Sequence, residues 1–198
     1  MTSQLGFFDD RGGRRETAPG LPEGFRHRPE LIGRAEEDRL LAHVRGLPFG
    51  DFEFHGYTGD RRVVSFGWHY DFSARQLQEA GDIPDHLSSL RRAAALFGEM
   101  GPEELQHVLV TEYGPGAGVG WHRDKAAFGR VVGVWLLSPC VFRMRRAARG
   151  KKWERVKLVA EPRSAYLLSG PARREWEHSK PRAEALRYSI TFRNVRED

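Results

Sequence analysis

The chain has 198 residues and one cysteine, with 32 Lys and Arg against 27 Asp and Glu, a net charge of +5. That length suits one domain with a substantial core. Lone Cys140 excludes an internal disulfide framework, and no apolar run nears the roughly 18 residues of a membrane-spanning helix. With no signal-peptide pattern, the sequence predicts a soluble cytoplasmic protein. The charge is uneven: residues 1–100 carry 13 basic and 16 acidic side chains, and residues 101–198 carry 19 and 11. A basic second half suits an anionic partner such as nucleic acid or a phosphorylated ligand, or else a solvated Arg-rich surface.

Residues 1–30 are rich in Gly, Pro and Arg and read as a loosely ordered leader. A helix is predicted from Ala35 to Arg45, with Leu40, Leu41 and Val44 as its apolar stripe and Gly46 and Pro48 as its stop. A second is predicted from Pro84 to Met100, capped by Asp82 or Asp85. The rest reads as short strands rich in Val and aromatics: 51–57, 62–67, 106–113, 118–123, 130–137, 141–146, 154–160, 165–168 and 188–194. Two helices followed by a run of strands predict an α+β fold with an antiparallel double sheet or jelly roll. The Gly116–Gly120 stretch has no helix after it, which argues against a dinucleotide loop.

His122-Arg123-Asp124 is an H-x-D pair, and residues i and i+2 of a strand share a face. His69-Tyr70-Asp71 is a rival pair, and short motifs of this kind arise by chance. Context favours the first, because His178 follows downstream. Two His and one carboxylate on one face of a metal form the facial triad of non-haem Fe(II) oxygenases, which leaves positions open. The terminal strand alternates Arg187, Ser189, Thr191 and Arg193 with Tyr188, Ile190 and Phe192. A polar face with two arginines, nine and fifteen residues after His178, suits the lining of a pocket for a dicarboxylate. Thr111 and Tyr113 share a face of the 106–113 strand in the same way.

Taken together, Thr111-Glu112-Tyr113-Gly114-Pro115-Gly116, His122-Arg123-Asp124, His178 and the Arg187–Arg193 strand resemble the AlkB-like 2-oxoglutarate/Fe(II)-dependent dioxygenases over about residues 106–194. The resemblance implies a double-stranded β-helix (jelly-roll) core with N-terminal helices and lid strands, a single domain over residues 31–198. It implies Fe(II) on His122, Asp124 and His178, with O2 and 2-oxoglutarate as co-substrates. Arg187 would hold the distal carboxylate of 2-oxoglutarate, helped by Tyr113, with Thr111, Ser189, Thr191 and Arg193 completing the pocket. The family reaction yields succinate and CO2 and hydroxylates a methyl on nitrogen, and the product loses formaldehyde. Best-known members carry Asn where this chain has Thr111 and Ser189, and repair-type members carry a carboxylate where it has Ala126.

The segment before the barrel holds Tyr57, Arg61, Arg62 and Trp68, the mix that suits a base stacked out of its helix. Arg143 to Lys157, including Arg149, carries eight cations against Glu154, with 146–152 read as a hairpin loop suited to phosphates. The expected activity is oxidative dealkylation of N-alkylated bases in DNA or RNA, by a monomer that binds nucleic acid. The alternatives are a 2-oxoglutarate oxygenase acting on a protein or small molecule, and a non-catalytic nucleic-acid-binding module.

Overall fold

The computed structural model describes residues 20–54, 57–71, 76–148 and 152–196. Thirteen strands and three α-helices follow in chain order: β1 (Phe25–Arg28), α1 (Arg34–Val44), β2 (Gly50–Phe54), β3 (Tyr57–Phe66), β4 (Trp68–Asp71), β5 (Gln76–Glu79), α2 (Ser88–Gly98), β6 (His107–Tyr113), β7 (Val119–His122), β8 (Phe128–Leu136), β9 (Cys140–Ala147), β10 (Trp153–Ala160), β11 (Ala165–Leu168), α3 (Gly170–Arg174), β12 (Glu177–Lys180) and β13 (Arg187–Val195). A seven-stranded sheet runs β1-β11-β8-β13-β6-β3-β2, and a four-stranded sheet runs β10-β9-β12-β7. β4 and β5 form a separate ribbon. Every pairing among the described residues is antiparallel.

The two faces of the large sheet bury different things. Val108, Val110, Val132, Val134, Ile190 and Phe192 point to one side and pack with Leu40, Leu41 and Val44 of α1 and Leu90, Ala94 and Ala95 of α2. The other side meets the small sheet through Phe25, Trp135, Phe142, Met144 and Tyr166. Phe142 stacks on Tyr166 with ring centroids 4.7 Å apart, and Trp135 lies 5.5 Å from Tyr166. Each such buried ring contributes about 1.5–3 kcal/mol. Close contact requires glycine at one point: a Cβ on Gly133 would overlap the Tyr166 ring.

Both predicted helices form, with one correction. The second opens with a 3-10 turn at Asp85–Leu87, and neither Asp82 nor Asp85 caps α2, whose N-cap is Leu87 with no side-chain bond. Five elements go beyond the predicted set, the ribbon strands β4 and β5 among them. β1 lies inside the stretch read as leader: Phe25 is fully buried, and Phe25–Arg28 pair with β11. α3 follows β11, where no helix was predicted. β12 is a strand of polar residues that carries His178.

Candidate active site

The inner face of the large sheet collects the polar side chains of the terminal strand. β13 sets Arg187 opposite Tyr113, Ser189 opposite Thr111 and Arg193 opposite His107 on β6. Its other edge sets Ser189 beside Trp135 and Thr191 beside Gly133 on β8. Arg187, Ser189, Thr191 and Thr111 are all buried. The polar face therefore lines the interior between the two sheets, as the dicarboxylate reading requires. In the small sheet β12 lies against β7, with His178 directly opposite His122.

His122 and His178 stand with ring centroids 4.2 Å apart. His122 Nδ1 lies 2.9 Å from the carbonyl oxygen of Gly120, which fixes the ring and leaves Nε2 for another partner. Asp124 lies beyond the end of β7, so strand alternation does not place it. It is placed by Arg193, which donates to Asp124 Oδ1 from Nη2 at 2.8 Å and from Nε at 3.1 Å. The other oxygen, Oδ2, is buried without a hydrogen-bond partner among the described residues and lies 3.7 Å from His178 Nε2. Arg173 supports the segment that follows, donating to the carbonyls of Lys125 (2.5 Å) and Phe128 (2.8 Å). The site rests on these pairs. Among the described residues, no three His, Cys, Asp or Glu side chains are preset around a point for a metal ion.

The charge states suit ligation. Burial would raise the Asp124 carboxyl, but Arg193, His178, His122 and Arg173 outweigh it and hold the group well below the usual carboxylate range. Burial pushes His178 well below 6.5, helped by His122. Burial also lowers His122 against the opposing pull of Asp124. At neutral pH the trio is two neutral imidazoles and one carboxylate.

Arg187 is 1% exposed, and its three guanidinium nitrogens have no hydrogen-bond partner among the described residues. It lies 4.0 Å from the Tyr113 ring centroid and 5.3 Å from that of Trp135. Ser189 Oγ is likewise buried and unsatisfied among the described residues. Lys180 also enters this pocket, with Nζ 3.5 Å from the Tyr113 hydroxyl. Burial would raise the Tyr113 phenol, yet Lys180, Arg187 and Arg61 together bring it below its ordinary value. Lys180 escaped the sequence reading because β12 offers no apolar alternation and its register shifts between His178 and Lys180. Arg193, expected in the co-substrate pocket, is engaged instead with Asp124 and, at 3.2 Å, with His107 Nδ1. Thr191 lies beside Tyr166, whose phenol burial pushes up.

The expected substrate residues divide. Arg61 lies with its guanidinium 3.7 Å above the Phe52 ring and close enough to influence Tyr113, His122 and Arg193. Arg62 turns to the other face and pairs with Glu112 at 2.6 Å, so it does not join the site. Trp68 is half-buried on β4. The Tyr57 side chain, those of the rival His69 and Asp71, and Arg149 lie outside the described residues. The basic segment is the β9–β10 hairpin, and its cations also divide. Arg146 is held by Glu154 and Glu175, each at 2.8 Å. Arg145 lies 4.4 Å from the Trp121 centroid and 4.3 Å from the Trp153 centroid, and pairs with Glu177 at 2.7 Å. Lys152, Arg155 and Lys157 are exposed.

Residues 51–193 match the family model described as the 2OG-Fe(II) oxygenase superfamily. The chain is similar to the "Alkylated DNA repair protein ALKBH8 homolog" of Arabidopsis thaliana, 28% identical over 204 residues. That match covers 85% of this chain, and the chain spans 57% of that relative. Among solved structures it resembles that of OsALKBH1 with a TM-score of 0.64, covering 88% of this chain and 99% of that one at 17% identity. That likeness is one of fold, and it matches the jelly-roll expectation.

Proposed function

The chain belongs to the 2-oxoglutarate–Fe(II) oxygenase superfamily, in which it is AlkB-like, and we propose that it removes alkyl groups from nitrogen atoms of nucleic-acid bases by oxidation. Members of this superfamily are dioxygenases that use Fe(II), 2-oxoglutarate and O2. His122, Asp124 and His178 fit the iron: two imidazoles kept neutral by burial, and a carboxylate with one buried oxygen to spare. Arg187, Tyr113 and Ser189 fit the distal carboxylate of 2-oxoglutarate. When bound, the iron supplies the oxidation of a C–H bond by O2, coupled to decarboxylation of 2-oxoglutarate.

The protein's own residues bind, orient and shield. Arg193 fixes Asp124 through one oxygen and leaves the other turned toward His178. Gly120 orients His122. Tyr166, Phe142 and Trp135 close the interior against water. Arg61 over Phe52 offers a cationic, flat surface near the trio, suited to a base held by stacking.

The observation that carries the nucleic-acid reading is the outer face of the small sheet. There Arg143, Arg145, Arg155 and Lys157 alternate with inward residues, and Arg145 lies between Trp121 and Trp153. Exposed Arg155 and Lys157, beside half-buried Arg143 and Arg145 lying on the indoles, suit a phosphate backbone and its bases. Two measurements test the reading. Formaldehyde and succinate are assayed with Fe(II) and 2-oxoglutarate over methylated DNA and RNA oligonucleotides, and one or more should release both. Succinate with no formaldehyde from any oligonucleotide would transfer the activity to a protein or small molecule. Binding of a labelled oligonucleotide should weaken steeply from 50 to 200 mM salt, by about tenfold or more. A salt-insensitive affinity would remove the outer face from the account.

A further inference from the structure

Lys180 is 7% exposed, so its ammonium is held inside the protein. Around it stand a phenol hydroxyl and three rings: Tyr113 Oη at 3.5 Å, and the centroids of Trp135, Tyr113 and Phe142 at 4.9, 5.9 and 6.0 Å. Arg187 faces two of the same rings, Tyr113 at 4.0 Å and Trp135 at 5.3 Å. The two cations therefore share one buried compartment, and both also act on the Cys140 thiol beside them. Asp124, a carboxylate of the inner site, is taken up by Arg193. Aromatic faces and a hydroxyl offset part of the cost of burying such charges, and an anion bridging both offsets far more.

The strand geometry gives the arrangement a direction. The register of β12 shifts between His178 and Lys180, yet both side chains reach the Phe142 ring, at 5.4 and 6.0 Å, so both enter the interior from the same strand. Arg187 and Tyr113 enter from the opposite sheet, directly across from each other on β13 and β6. An anion between Lys180 and Arg187 is thus gripped from both sheets at once, one residue pair away from His178.

We propose that Lys180 is a second cation for the distal carboxylate of the co-substrate, so that the dicarboxylate is clamped between Lys180 on the small sheet and Arg187 on the large one. This rests on the assignment of the Arg187 pocket to 2-oxoglutarate. It makes Lys180 a specificity-determining residue: a pocket built for two cations disfavours a 2-oxo acid without the second carboxylate.

Calorimetric binding tests this, with Mn(II) in place of iron and no oxygen. The ligands are 2-oxoglutarate and 2-oxopentanoate, which keeps the 2-oxo acid end and the chain length but lacks the distal carboxylate. Lys180→Met should weaken 2-oxoglutarate binding about 10- to 100-fold and leave 2-oxopentanoate and Mn(II) binding within about twofold. Arg187→Met should show the same pattern. If Lys180→Met binds 2-oxoglutarate as tightly as the parent, or loses both ligands alike, the proposal is overturned. Loss in Arg187→Met alone overturns the role of Lys180 and keeps the pocket. No loss in either variant shows that the pocket itself was misassigned.

Discussion

Replacing Arg193 with Gln tests how the carboxylate of the site is held. Arg193 places two nitrogens 2.8 and 3.1 Å from Asp124 Oδ1, and the two side chains are only 11% and 7% exposed. At a charge separation of about 4 Å and an effective dielectric of about 20, the attraction is about 4 kcal/mol. Removing one partner of a buried pair costs about 3–5 kcal/mol, because the remaining charge is stranded. For a chain of 198 residues this corresponds to a fall in Tm of about 6–20 °C for the metal-free protein. The assay is urea and thermal unfolding of four proteins: parent, Arg193→Gln, Asp124→Asn and the double variant. Once Asp124 is neutral, Arg193→Gln should cost far less, giving a coupling of several kcal/mol. Mn(II) should also raise the Tm of Arg193→Gln by more than it raises that of the parent, because the ion supplies positive charge that Asp124 has lost. A cost below about 1 kcal/mol, or an equal cost with and without Asp124, would refute this account of the site.

Two further outcomes follow from the interior. His178 and His122 have native pKa values below the ordinary 6.5, so below that pH the unfolded chain binds more protons than the native one. Stability of the metal-free protein should therefore fall as pH drops from 7 to 5, and His178→Asn should flatten that slope by up to about 1.4 kcal/mol per pH unit; an unchanged slope in urea titrations would contradict it. Gly133→Ala should destabilise by about 1–3 kcal/mol, since the new methyl overlaps Tyr166 in a packed aromatic cluster. A thermal melt identical to that of the parent would show that Tyr166 is free to move.

What the sequence reveals follows from which forces place each element. β6, β8, β9, β10 and β13 lie within two residues of their predicted bounds, because alternation and β-branched residues are local signals. β12 reads Glu177-His178-Ser179-Lys180 and offers no hydrophobic alternation, since its inward face is functional rather than apolar. α3 and β1 are fixed by contacts across the chain, with Ser169 donating to Gly24 and Ala172 to Glu23. The pairing of His122 with Asp124 was legible as a motif, but what holds Asp124 was not. Asp124 is held by an arginine 69 residues away rather than by strand periodicity. The same holds for Arg62 and Arg146, whose partners Glu112 and Glu175 come from other elements. Composition counts such cations, and only the fold shows which are already paired.

The proposed function requires that His122, Asp124 and His178 together bind one divalent ion. Calorimetric titration of Mn(II) into the parent and into His122→Ala, Asp124→Ala, His178→Ala and His69→Ala tests it directly. The parent and His69→Ala should bind one ion per chain, and the other three should lose that binding. Retained stoichiometric binding in those three variants, or its loss in His69→Ala alone, would contradict the assignment.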